Sequence, residues 1–236
     1  MELEGARALV TGSGRGIGAT IALALAGSGC RVALTSRTAS QLDAIAAGVT
    51  AAGTRALVVP ADLTRPEEVH ALVQKVESEF GGIDILVNNA GGGAFGPVLE
   101  LTESEFERTL ELNVTSVFRL TRAFLPGMLQ RKQGHIVMMA STAARRGFSG
   151  GAAYCAAKFA LDGFAQSLFY ETRQSGVRVT TVFPSSVNTE LMRRLGPALD
   201  PDRMIQPADV ALAVLAALRT DDRATVKEIE IWGTNP

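Results

Sequence analysis

Ser141, Tyr154 and Lys158 are the residues of this sequence whose types and spacing would do chemistry together. Tyr154 and Lys158 are four positions apart in AAYCAAKFALDGFAQSLFYETRQSG, which reads as a helix, so their side chains leave one face a turn from each other. A tyrosine hydroxyl has an ordinary pKa of about 10 and moves protons poorly at neutral pH until something favours its phenolate. A neighbouring ammonium does that. With Ser141 holding a carbonyl oxygen by hydrogen bond, Tyr154 would supply a proton as hydride reaches the carbon, or remove it in the reverse direction. The apolar run HIVMMA before Ser141 reads as a buried strand, which sets the serine at a strand end. YxxxK by itself arises often by chance, so its meaning depends on the rest of the chain.

Upstream, ARALVTGSGRGIGATIALALAGSG is an apolar run, a glycine-rich turn and an Ala/Leu helix. In TGSGRGIG the glycines Gly12, Gly16 and Gly18 remove side chains where a phosphate must approach the backbone, and the following helix points its N-terminus at that place. CRVALTSR then reads as a second strand. An NAD-binding chain usually carries an acid near the end of this strand for the ribose 2′-hydroxyl, but these positions are Thr35, Ser36 and Arg37. With Arg15 and Arg37 available and no carboxylate, a 2′-phosphate is the better fit, which favours NADP(H) over NAD(H).

The elements that must position these groups alternate along the chain. Thr38 and Gln41 have capping-box spacing for a helix through about Ala52, and RALVVPADL gives a third strand ending at Asp62. Thr64 and Glu67 repeat the capping pattern before a helix to about Phe80. IDILVNNAGG supplies a fourth strand and a glycine turn, which Asn88 and Asn89 would order through side-chain to backbone bonds. Thr102 and Glu105 cap a long helix to about Gln130; Asn113 inside it is a mediocre helix former and asks for a reason. VRVTTVFPSS is a sixth strand and turn, residues 184–206 read as a substrate lid, Pro207 opens a last helix to about Leu218, and VKEIEIWG closes as a strand. Such alternation predicts a single α/β domain over residues 1–236, a Rossmann-type doubly wound parallel sheet with helices on both faces.

Composition excludes several function classes. Basic and acidic residues number 23 and 24 and are scattered, so there is no footprint for nucleic acid. Cys30 and Cys155 cannot build a disulfide framework, and with His70 and His135 isolated there is no metal-ligand spacing. The acidic start MELEGARALV does not resemble a signal peptide, and glycines interrupt the apolar helices, so the expectation is a soluble cytoplasmic protein with no membrane span.

TGSGRGIG, Asp62-Leu63, NNAG at 88–91, Asn113, Ser141 and YCAAK occur in the order and spacing of the short-chain dehydrogenase/reductase family, which the chain resembles nearly end to end. The resemblance implies Ser141 as carbonyl binder, Tyr154 as acid/base, Lys158 as ribose binder and depressor of the tyrosine pKa, and Asn113 as anchor of a water in a proton relay. It implies cofactor contacts at Gly12, Ser13, Arg15, Gly16, Ile17, Gly18, Ser36, Arg37, Asp62, Leu63, Asn89, Ala90, Gly91, Pro184 and Thr189. Pro184-Ser185 stands where the family usually has Pro-Gly. Phe95, Ala143, Ala144, Phe148, Ser186 and Met192 are the candidates for a mainly apolar substrate pocket. The implied activity is NADP(H)-dependent hydride transfer to or from a small carbonyl or secondary alcohol, in a homodimer or homotetramer. A 3-ketoacyl thioester on an acyl carrier protein, met by Arg131 and Lys132, is one substrate class, though Ser175 replaces the second basic position. Free ketones and small hydroxy acids are the others. Relatives that only sense NADP(H) commonly lack the Tyr or Lys, whereas all four catalytic positions are kept here.

Overall fold

The computed structural model describes residues 1–193 and 200–234. Its strands are β1 (Arg7–Thr11), β2 (Arg31–Thr35), β3 (Ala56–Val58), β4 (Ile85–Asn88), β5 (Gly134–Met139), β6 (Val177–Pro184) and β7 (Glu228–Ile231). All pair in parallel, in the order β3-β2-β1-β4-β5-β6-β7. The period-two alternation of the strands divides their side chains between two cores. Ala8, Val10, Val32, Leu34, Ile85 and Val87 face one side, and Leu9, Ala33 and Leu86 face the other.

Helices α1 (Gly16–Ala26) and α2 (Ala39–Ala51) cover the first core. Helix α3 (Pro66–Phe80) lies on the second through Val69, Leu72, Val76 and Phe80. Helices α4 (Glu103–Leu110) and α5 (Ser116–Arg131) follow, with α5 packed on the second core; α6 (Ala152–Thr172) joins it there, α7 (Glu190–Arg193) is one short turn, and α8 (Pro207–Arg219) returns to the first. The expected single-domain doubly wound sheet is borne out, and no helix among the described residues is long and apolar enough to cross a membrane.

Several local expectations change for identifiable reasons. The third strand is shorter than RALVVPADL because Pro60 has no N–H for the ladder. Thr38 is the N-cap of α2, yet its side chain makes no cap bond. Thr64 does not cap α3 at all: Pro66 fits the first helical position, so Arg65 becomes the N-cap and the Thr64 hydroxyl bonds Asp62 instead, 2.8 Å away. Thr102 and Glu105 do form the reciprocal capping box. The long helix they open is interrupted by a π-helical turn at Glu111–Thr115, centred on Asn113. Its Nδ2 donates to the Thr109 carbonyl at 2.7 Å, competing with the backbone ladder there, and to Gly92 O at 2.6 Å.

Strand order reverses between β1 and β4, and ligand crevices of such sheets open at the carboxyl ends of the strands where this happens. Here the two turns are tied together. Asn89 Nδ2 donates to Thr11 O at 2.8 Å, and the Thr11 hydroxyl accepts the N–H groups of Asn89 and Ala90, each at 2.9 Å. Asn88 plays no such part; its Nδ2 faces Met138 Sδ at 3.4 Å. A Cβ on Gly18 would lie 2.4 Å from both the Gly12 carbonyl oxygen and Asn89 Nδ2, so α1 sits this close only because residue 18 has no side chain. Gly18→Ala should therefore cost about 1 to 3 kcal/mol by overpacking. Gly147→Ala, at a site with nothing within 4 Å, should stay within about 0.5 kcal/mol. Urea midpoints of the two variants measure the difference; equal midpoints would show that α1 is free to shift.

Candidate active site

Ser141 follows β5 and caps the short 3-10 turn Thr142–Ala144, its Oγ accepting the Ala143 N–H at 3.1 Å and donating to Pro184 O at 3.5 Å. Tyr154 lies in the first turn of α6. Lys158, one turn on, is 3 % exposed and donates from Nζ to Met139 O at 2.8 Å. The turn after β4 brings the remaining group to these residues. A Cβ on Gly91 would be 2.9 Å from Asn113 Oδ1 and 3.2 Å from Lys158 Nζ, and one on Gly93 would be 3.4 Å from the Tyr154 ring. Asn113, Tyr154 and Lys158 thus converge on one glycine turn, with Ser141 beside Tyr154.

Burial decides the charge states. It pushes Tyr154 up to about 12 against the pull of the Ser141 hydroxyl, and it pushes Lys158 down to about 8. The expected depression of the tyrosine by the lysine is not what this arrangement shows. Lys158 is turned to Met139 O and its Nζ stands 5.5 Å from the tyrosine ring centroid, so desolvation outweighs it.

The glycine turn has the shape of a phosphate cradle. Gly12 and Gly16 have φ of 64° and 57°, in the left-handed region that glycine tolerates. A Cβ on Gly12 would strike Ala90 Cα at 2.9 Å, and one on Gly16 would meet Thr189 Cγ2 at 3.5 Å, which places Thr189 over the turn. Ser13 is buried behind the turn, with its N–H on Thr35 O at 3.2 Å. Ile17 opens α1 and packs partly on the first core, and Leu63 is buried in the second.

At the ribose end, the Ser36 hydroxyl is buried without a partner, and a Cβ on Gly14 would lie 2.8 Å from it. Thr35 Oγ1 is also unpartnered, but the residue is sealed inside the sheet, so only Ser36 of the two faces the turn. Arg37 is exposed and has no ion pair among the described residues, whereas Arg15 is paired with Glu190 of α7. Burial raises the Asp62 carboxyl, but bonds from the Thr64 N–H and hydroxyl, with Arg37 and Arg108 nearby, hold it below its ordinary value. An orphaned hydroxyl followed in sequence by an exposed arginine, at the edge of a glycine-rich turn, fits a dinucleotide with a charged ribose.

The pocket residues divide. Phe95 stands 5.3 Å from the Tyr154 ring and 6.4 Å from Phe148, making an aromatic wall. Ala143 is buried beside Ser141, while Ala144 is buried in the second core. Met192 sits on α7 with its N–H near Thr189 Oγ1 at 3.4 Å. Ser186 opens onto a cavity of about 340 Å3 lined also by Arg146, Ser185, Asp200, Arg203 and Trp232. Arg146, Asp200 and Arg203 bring charge to a lining that is otherwise mainly apolar. Arg146 was visible five residues after Ser141, but Trp232 reaches the site only because β7 pairs with β6, which no local pattern announces. Of segment 184–206, expected to be a lid, residues 194–199 lie outside the described residues; Val187 bridges Ile205.

Comparisons with known proteins identify the family and the fold. The family model described as short chain dehydrogenase matches residues 6–200. The 3-oxoacyl-acyl-carrier-protein reductase FabG of Vibrio cholerae is 36 % identical over 224 residues, 91 % of this chain and 90 % of that protein. Glycine betaine reductase ATRR of Emericella nidulans is 35 % identical over 240 residues, 97 % of this chain, which spans only 19 % of that longer protein. Among solved structures, a metagenomic short-chain oxidoreductase in complex with NADP superimposes with a TM-score of 0.87 at 34 % identity, covering 100 % of both chains. The chain belongs to the short-chain dehydrogenase/reductase family of oxidoreductases.

Proposed function

We propose that this protein is an NADP(H)-dependent oxidoreductase that interconverts a small carbonyl compound and its secondary alcohol. The observation that carries the reading is the convergence of Asn113, Lys158 and Tyr154 on the Gly91–Gly93 turn, with Ser141 alongside. When bound, the cofactor supplies or accepts hydride at its nicotinamide ring. Ser141 orients the carbonyl oxygen through its hydroxyl. Tyr154, protonated at neutral pH because burial holds its pKa near 12, gives its proton to that oxygen in reduction. Lys158 and Asn113 hold the polar path behind it, and the aromatic wall of Phe95 and Phe148 shields the reacting carbon from water.

Tyr154→Phe should lower kcat at least about 100-fold with little change in NADPH affinity, since the proton is needed in the transition state and not for ground-state binding. The wild type should reduce at a rate flat between about pH 6 and 8, because the donor stays protonated, while alcohol oxidation should rise with pH as the phenolate becomes populated. Paired pH profiles of kcat/KM test this. A reduction rate that climbed with pH, or a Tyr154→Phe variant keeping a tenth of kcat, would assign the proton to another group.

NADP(H) is the cofactor best suited to the ribose end, where the end of β2 carries no acid and offers Ser36 and the exposed Arg37, although Arg37 also feels the charge of Asp62. A charge-assisted bond nets about 1.5 to 3 kcal/mol, and partial solvation at the cleft edge lowers that, so the preference in kcat/KM should be at least about tenfold over NADH. Ser36→Asp with Arg37→Ala should invert it by repelling the phosphate and offering an acceptor to a free 2′-hydroxyl. Arg15 contributes less, since its pair with Glu190 must first open. A wild type that preferred NADH would sink the arginine assignment.

A 3-oxoacyl thioester is the second substrate reading, favoured by the likeness to the Vibrio cholerae reductase. Within one chain Arg131 and Lys132 stand at the far end of β5 from Ser141, and Arg131 is engaged with Ile83 O at 2.7 Å and Asp84 at 3.6 Å. The lid reading of residues 184–206 is supported by the Arg15–Glu190 pair, which ties α7 to the glycine turn. Exposed Phe118 on α5 and Phe159 and Tyr170 on α6 support a homo-oligomer formed through these helices. Light scattering should give a multiple of 24.8 kDa at micromolar concentration; a single-chain mass would count against it.

A further inference from the structure

The segment after Ser141 carries two adjacent arginines with opposite situations. Arg145 is fully engaged: its guanidinium pairs with Asp162 at 2.9 Å, with Glu228, and with Glu230 at 3.7 Å, and lies 4.1 Å from the centroid of the Phe183 ring. Arg146 has no carboxylate within ion-pair distance among the described residues. Its guanidinium lies 5.0 Å from the centroid of the Trp232 ring, on the wall of the 340 Å3 cavity.

Three of the other walls follow the carboxyl ends of β6 and β7. Ser185 and Ser186 follow Pro184, whose carbonyl already meets the Ser141 hydroxyl at 3.5 Å, and Trp232 follows the end of β7. The acids nearby are occupied. Asp200 pairs with Arg203 at 3.6 Å, and Glu230 accepts the Trp232 indole N–H at 3.2 Å while facing Arg145. A guanidinium stacked on an aromatic face keeps its edge N–H groups free, and that edge matches a carboxylate in a bidentate fashion. About 340 Å3 is near the lower limit of small-molecule sites, which suits a compound of few carbons rather than a long acyl chain.

We propose that Arg146, held on Trp232, binds the carboxylate of a small oxo or hydroxy acid whose carbonyl or carbinol carbon lies at Ser141 and Tyr154, and so makes the protein selective for acids over neutral carbonyls. The proposal rests on the oxidoreductase reading for the reaction, but not for the binding.

That separation sets the test. Trp232 is the single tryptophan of the chain, so its emission reports on this cavity alone. Titrating 2-oxobutanoate, 3-oxobutanoate and 4-oxopentanoate, each beside its methyl ester, brackets the distance between carbonyl and carboxylate. At least one acid should change the emission saturably while its ester does not, and Arg146→Gln should abolish that response, whatever it does to the starting emission. With NADPH, the same acid should exceed its ester in kcat/KM by about tenfold or more, and Arg146→Gln should erase the advantage through the acid while changing the ester less than about threefold. A saturable, Arg146-dependent response without turnover would uphold the subsite and overturn the oxidoreductase reading. Acids that neither perturb Trp232 nor outperform their esters, or effects that survive Arg146→Gln, would overturn the proposal.

Discussion

The structure is built around a lysine amine that has been taken out of water. Lys158 is 3 % exposed and has a single backbone acceptor, the Met139 carbonyl at 2.8 Å. An amine in that position is tolerated only if polar groups are brought to it, and the neighbouring elements are shaped to do so. Strand β5 ends where its last carbonyl faces the amine. The turn after β4 is tightest at Gly91, where a Cβ would lie 2.9 Å from Asn113 Oδ1 and 3.2 Å from Nζ. The helix of Asn113 gives up its regular ladder for a π turn, so that the amide stands at the same place.

The glycine-rich turn and the turn that meets Lys158 are joined to each other. Thr11 ends β1 and Asn89 follows β4; the bonds between them hold the glycine-rich turn against the turn that meets Lys158. A shift of α1, which Gly18 allows to sit against Gly12 and Asn89, would therefore be felt at Tyr154 through Asn89 and the Gly91–Gly93 segment. On the proposed assignment one hydrogen-bonded seam would set both the position along the nucleotide and that of the proton donor.

Much of this was legible in the sequence, and what was missed has common physical causes. Alternation of apolar residues gave the strands and helices, since each strand must feed two cores. Asn113 stood out as a poor helix former, but the slip of the ladder depends on Gly92, a residue twenty-one positions away whose carbonyl it binds. Thr64 looked like a cap by spacing; Pro66 overruled it, because the imide ring chooses the first helical position. Thr35 and Ser36 are adjacent hydroxyls at the end of β2, yet the strand pleat seals the first and turns the second toward Gly14. Arg146 and Trp232 are eighty-six positions apart, and only the pairing of β6 with β7 brings them face to face.

Burial moves the two ends of the proposed proton path in opposite senses. It favours the neutral form of each group, so the tyrosine keeps its proton while the lysine, near 8, sits closer to losing its own. A phenolate at Tyr154 would then need positive charge supplied close by. Lys158 is one source, provided it turns from Met139 O, and the cationic ring of an oxidised nicotinamide is the other. The reduced ring is neutral and offers no such help, so on the proposed assignment the protonated tyrosine is the resting partner of NADPH and the phenolate the partner of NADP+. On that assignment Tyr154 would hold its proton beside a neutral nicotinamide ring and would lose it more readily beside a cationic one, as each direction of the reaction requires.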